Sequence, residues 1–157
     1  DPYVRFTGER LWQLESPWQL ESYNRASWFN EEGYSIRSRW DVGRPLDLNH
    51  HLRFITNFQW QEEVDTLEYS EAVELNQILG KRSVIRYAIA AIGRSTSDPR
   101  LHDYYLYSHY RRNLHREILF VDFIPELHFP RDQDYDPQFG VTLRLEVMFK
   151  GDLIFRR

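Results

Sequence analysis

From Phe139 to Phe149 every odd position holds a large apolar side chain: Phe139, Val141, Leu143, Leu145, Val147 and Phe149. The positions between are Gly140, Thr142, Arg144, Glu146 and Met148. Side chains of an extended strand alternate between its faces. One face of this stretch is therefore apolar from end to end, while the other carries an arginine and a glutamate. Strands of soluble sandwiches are usually interrupted where they leave the core. This one continues for about eleven residues, the length that a tilted strand needs to cross a bilayer, and closes on an aromatic.

The same design recurs upstream, in nine period-2 segments divided by turn residues, with no segment of helical periodicity. They span 3–14, 18–30, 34–43, 51–62, 66–78, 83–94, 102–112, 116–129 and 139–149. The first carries Val4, Phe6 and Trp12 on one face, with Gly8 and Arg10 interrupting it. In the second, Ser22 and Asn24 fall on the apolar side. Pro125 inside the eighth predicts a bulge or bend. Short connections at 15–17, 79–82 and 112–115 contrast with long ones at 95–101 and 130–138, although 31–33 and 44–50 break that alternation. The predicted fold is all-β: an antiparallel up-and-down transmembrane β-barrel of nine or ten strands, or the C-terminal part of a larger one, in a single domain over 1–157. Residues 149–157 are a tail or a short extra strand.

Composition agrees. No run of ~18 apolar residues exists, which excludes transmembrane helices, while a barrel needs apolar residues only at alternate positions. The net charge is −4 and the 20 basic residues are scattered, which argues against nucleic-acid binding. There is no cysteine, which removes disulfides, cysteine-ligated metals and thiol chemistry. The chain starts Asp1-Pro2, without initiator methionine or signal peptide, and reads as processed, trimmed or a fragment.

Several stretches resemble a known family. They are Tyr110-Arg111-Arg112-Asn113-Leu114-His115-Arg116, Leu119-Phe120, Pro125-Glu126-Leu127-His128-Phe129-Pro130-Arg131-Asp132 and Leu143 to Phe149, with Trp28 to Gly33 and Arg44-Pro45-Leu46 upstream. Together they resemble the C-terminal end of uncharacterised proteobacterial outer-membrane β-barrel proteins, over most of the chain. That resemblance implies a bacterial outer-membrane location and a barrel, and no activity. It also implies that the terminal strand, through Leu145, Val147 and Phe149, is the signal read by the barrel-assembly machinery. Lys150 to Arg157 continue past that aromatic. Members of the family have further strands before the equivalent of residue 1, and single-chain bacterial barrels have even strand numbers. Nine strands thus imply missing strands, the tail as a tenth, or a miscount.

The expected lumen lining is Arg37, Arg39, Asp41, Arg53, Glu68, Glu74, Arg86, Asp103, His109, Arg111, Asp122, Glu126, Arg144 and Glu146. Charges of both signs there predict ion pairs or a polar pore. The expected lipid-facing set is Phe54, Phe58, Leu119, Val121, Phe123, Val141, Leu143, Leu145 and Val147. The five tryptophans, mostly near strand ends, fit either an interfacial girdle or the core of a sandwich. No catalytic residue, cofactor or metal site is expected: His50-His51 are adjacent and point to opposite faces, and so do His102 and His109. The expected role is structural or a passive, porin-like conduit, with the bilayer and the assembly machinery as partners. One alternative is a soluble β-sandwich or lipocalin-like barrel holding a small apolar ligand, with the faces reversed. A second is an outer-membrane hydrolase around Ser108-His109, with Asp103 or Asp122 as distant partner.

Overall fold

Alternating side chains and short turns favour neighbouring antiparallel strands, and that is the whole architecture. The computed structural model describes residues 2–14, 17–30, 33–96, 101–116 and 118–148. The described residues form nine strands: β1 (Tyr3–Gln13), β2 (Gln19–Phe29), β3 (Gly33–Pro45), β4 (His50–Gln61), β5 (Thr66–Gly80), β6 (Ser83–Arg94), β7 (Leu101–His115), β8 (Leu119–Pro130) and β9 (Gln138–Val147). They make one antiparallel up-and-down sheet in chain order. A 3-10 turn, Arg131–Gln133, is the one helical element among these residues.

β1 and β2, β3 and β4, β5 and β6, and β7 and β8 are joined at one end of the sheet; β2 and β3, β4 and β5, β6 and β7, and β8 and β9 are joined at the other. Of the two connections that break the expected alternation, 44–50 shortens because β3 runs on to Pro45 and β4 begins at His50. Asp47 organises that turn. Its Oδ1 accepts the backbone N–H of Asn49 at 2.7 Å and of His50 at 2.9 Å, and the His50 ring Nδ1 lies 2.9 Å away. The Asn49 backbone and the His50 side chain hold the Asp47 carboxyl below the usual carboxylate range. Gly33 opens β3 at φ 73, a left-handed conformation that glycine adopts without steric cost. Asp134 and Tyr135 take the same region after the 3-10 turn.

Pro125 does not make a bulge. The β7–β8 register is the same on either side of it, and the paired positions simply skip Ser108 and His109, opposite Pro125 and Ile124. Proline has no N–H to give, so the ladder loses pairs without losing register. Register shifts occur instead at Ile78/Gly80, Ile92/Gly93 and Asn113/His115, near strand ends.

The sheet is open: β1 and β9 are its two edges. In an up-and-down order the first and ninth strands run the same way. Joining them directly would make a parallel pair, whereas antiparallel closure needs an even number of strands. The nine-strand count is thus real among the described residues. Phe149 and the tail 150–157 lie outside them.

Candidate functional site

Residues paired across a ladder share a face, so the register divides the sheet into two surfaces. One carries Glu21, Asp41, Arg53, Glu74, Arg86, His109, Asp122 and Arg144; the other carries Phe54, Val73, Ile89, Leu106, Phe123 and Leu143. Burial falls on the polar side. Asp122 is 0% exposed and Glu74 4%, whereas Leu143 is 73% and Leu145 65% exposed. Phe54, Phe58, Phe123, Val141 and Val147 are exposed as well, with Leu119 and Val121 half-buried. A sandwich or a lipocalin-like barrel would bury these apolar sides; among the described residues they are the more exposed ones.

Two ion-paired groups fill the enclosed face. The first spans β3 to β7. Arg53 grips Asp41 through Nε at 3.2 Å and through a second guanidinium nitrogen, and Arg39 reaches the same carboxylate at 3.4 Å. Arg53 and Arg86 approach the two oxygens of Glu74, each at 3.6 Å. The Tyr107 hydroxyl donates to Glu74 Oε1 at 3.1 Å, and Ala88, small and buried on β6 between them, leaves the room.

The second group centres on Asp122. His109 Nε2 lies 2.8 Å from Oδ1, Arg144 Nε donates to Oδ2 at 2.8 Å, and Arg111 stands 3.5 Å from Oδ1. Arg111 also reaches Glu146 at 2.9 Å and lies over the Phe120 ring at 4.4 Å. A carboxylate this enclosed is tenable only when paired and hydrogen-bonded. Arg86 and His109 stand opposite one another in the β6–β7 ladder, so the two groups form one oblique belt from β3 to β9.

Most of the expected lumen residues join that belt: Arg39, Asp41, Arg53, Glu74, Arg86, His109, Arg111, Asp122, Arg144 and Glu146. Others stand apart. Glu68 pairs with Arg94 at 2.8 Å near the strand end. Asp103 meets His102 at 3.1 Å and His128 at 3.8 Å, helped by the register shift beside His102. Arg37 and Glu126 take no ion pair among the described residues. Glu126 instead covers Gly140, where a Cβ would stand 3.1 Å from its Oε1. Arg144 and Glu146, neighbours on one face, choose different partners. Tyr107 in the belt, and Tyr105 stacked on His128 at 4.2 Å, share the parity of the charged residues; their roles needed the register.

Toward β1 the polar face opens into a hollow of about 450 Å³ among Glu9, Glu21, Tyr23, Arg25, Arg39, Asp41 and Arg53. Chemically the belt offers a base and its orienter in His109 and Asp122, but Ser108 lies on the opposite face. No group of three His, Asp or Glu able to hold a metal ion occurs among the described residues. Trp40 departs from the expected girdle, standing near the middle of β3 with its N–H bonded to Ser38 at 2.9 Å.

No protein-family model and no curated protein matches the chain.

Proposed function

We propose that the chain is the membrane-spanning sheet of a bacterial outer-membrane β-barrel, with a structural or passive-conduit role. The observation that carries this reading is the inverted burial, with Asp122 sealed at 0% and Leu143 open at 73%. In water such an apolar surface is a liability; in a bilayer it is the required outer band. The polar face then becomes the interior, where paired charges need no bulk solvent. Strand lengths of ten to fifteen residues are sufficient to span the hydrocarbon with tilt.

Both edges need strand partners in this setting, because unpaired N–H and C=O groups are costly in hydrocarbon. An odd number of added strands between β9 and β1 closes the barrel antiparallel. Leu145 and Val147 on the edge strand β9, with Phe149 beyond it, serve as the assembly signal. Mixed charges along the belt favour a plugged or weakly selective interior over a strongly ion-selective one.

The test is refolding from denaturant with and without detergent or vesicles. The reading expects native β-structure and protease protection only when an amphiphile is present. A monodisperse, folded monomer in plain buffer would overturn it.

A further inference from the structure

One part of the enclosed face holds cations that its carboxylates do not reach. Two adjacent ladder rows cross β2 to β5 there. The first reads Arg25, Arg37, Gln59 and Glu68, and the second Tyr23, Arg39, Asn57 and Ser70. They border a hollow of about 430 Å³, lined in part by Tyr23, Arg37, Arg39, Asn57, Gln59 and Glu68. Tyr23 and Arg39 also border the hollow toward β1, into which Arg25 faces.

The carboxylates nearest to Arg37 are already held. Glu68 pairs with Arg94 at 2.8 Å, and Arg53 takes Asp41 through two nitrogens. Arg39 touches that Asp41 at 3.4 Å and keeps 47% of its side chain exposed. Glu9 and Glu21 line only the hollow toward β1 and take no ion pair among the described residues. Arg25 and Arg37 take none either, and they stand directly opposite each other in the β2–β3 ladder. Like charges so placed repel. Arg25 bonds the Tyr23 hydroxyl, and its Nε is buried without a hydrogen-bond partner.

This inference rests on the reading of this face as a barrel interior, where a cation needs a counter-charge. A guanidinium presents its N–H groups in a fixed fork that fits the oxygens of a phosphate or a carboxylate. Arg37 and Arg39 bring two such forks to the hollow from β3, and Arg25 adds a third cation across the ladder. Gln59 and Asn57, the latter also bonded to Ser70 at 3.0 Å, bring neutral amides from β4. An oxyanion in the hollow satisfies these donors and relieves the repulsion between Arg25 and Arg37. A cation would meet the same positive charge, and an apolar solute would leave the donors unpaired.

We infer that the arginine hollow of β2–β4 is a binding site for an oxyanion, the phosphate or carboxylate group of a small solute held inside the barrel.

The full chain is reconstituted in lipid vesicles, and membrane integration is read first, by protease protection. The integrated protein is then extracted in detergent, which opens both ends of the interior. It is titrated calorimetrically at low ionic strength with inorganic phosphate and, separately, with acetate. At least one of the two should bind with saturation and more tightly than chloride, and the tighter one names the solute group. Arg37→Gln and Arg25→Gln should each weaken that binding by about tenfold or more. Arg37→Lys, which keeps the charge but not the fork, should weaken it less. Arg10→Gln removes the same charge from the opposite face of β1 and should leave binding unchanged. Each variant passes the protection step first, and Arg25→Gln serves if Arg37→Gln fails it. Integrated protein that binds neither anion better than chloride, or binding that the Arg10 variant weakens as much as the Arg25 and Arg37 variants do, would overturn the site while the barrel stands. Failure of the unaltered chain to integrate would overturn both readings.

Discussion

On β6–β9 the exposed surface presents Tyr87, Ile89, Leu106, Phe123, Leu143 and Leu145, with Arg112 near a strand end, and the mid-strand charges are held on the enclosed side around Asp122. On β1–β5 the enclosed side is also charged, around Asp41 and Glu74, but Arg10, Asn24, Ser38, Thr56 and Glu71 appear on the exposed side as well. Both halves have the same strand pattern and the same ladder. They differ in their outer faces: the first is apolar along its middle, whereas the second also carries polar and charged side chains there. The loops follow the same division. Long connections at 95–100 and 131–137 belong to β6–β9, while the turns of β1–β4 are short at both ends.

The largest expected effect lies inside the β6–β9 half. Asp122→Ala leaves His109, Arg111 and Arg144 facing one another without their carboxylate, and should cost ~3–5 kcal/mol in denaturant titration of the folded protein in detergent. Ser38→Ala, on the exposed face of β3, should cost only about 1 kcal/mol. Comparable losses would mean that Asp122 is not the sealed centre of its half.

A smaller contrast compares the outer faces directly. Leu143→Arg places a charge at the middle of an apolar strand and should cost ~2–4 kcal/mol, whereas Thr142→Arg, on the enclosed side, should be far milder. Thr56→Arg should also be milder than Leu143→Arg, because Glu71 stands beside it. Equal penalties at positions 143 and 56 would erase the distinction between the halves.

Coupling within the belt comes next. A double-mutant cycle on Arg111 and Glu146 should show about 1 kcal/mol of interaction for a partly exposed pair. The Arg144–Glu146 cycle should show almost none, since Arg144 is committed to Asp122. The reverse ranking would place Arg144 elsewhere.

The smallest effect is a local one in the β3–β4 turn. Asp47 has a depressed carboxyl pKa when folded, so its contribution is complete above the unfolded carboxyl range and is lost as pH falls through the folded value. Amide signals of Asn49 and His50 should move in that acidic window, and Asp47→Asn should abolish the movement. An unchanged titration in the variant would show that the turn does not depend on this carboxylate.

The strands were legible because alternation needs no knowledge of partners; β6 begins and ends at the expected residues, and the others shift by a few. The enclosed face was legible for the same reason, since Arg53, Glu74 and Asp122 share parity with their neighbours. Partner choice was not. Whether Arg144 meets Glu146 or Asp122 depends on register, which turn geometry and the shifts at Gly80, Gly93 and His115 determine. Pro125 looked like the bulge but removed ladder pairs instead. The polar row on the exposed face of β1–β5 was half legible: Arg10, Ser22 and Asn24 showed as interruptions of an apolar face. Glu71 passed unremarked, because only the ladder sets it in one row with Arg10, Ser22 and Thr56.

The central claim is that the charged face is the interior and the apolar face meets lipid. It is tested most directly by single-cysteine labelling along β9, with an environment-sensitive fluorophore at residues 141 to 146 in turn, in vesicles. Labels at positions 141, 143 and 145 should be quenched by brominated lipid and spared by an aqueous quencher. Labels at 142, 144 and 146 should show the opposite, in strict alternation. A uniform response along the strand, or the inverse alternation, would contradict the account.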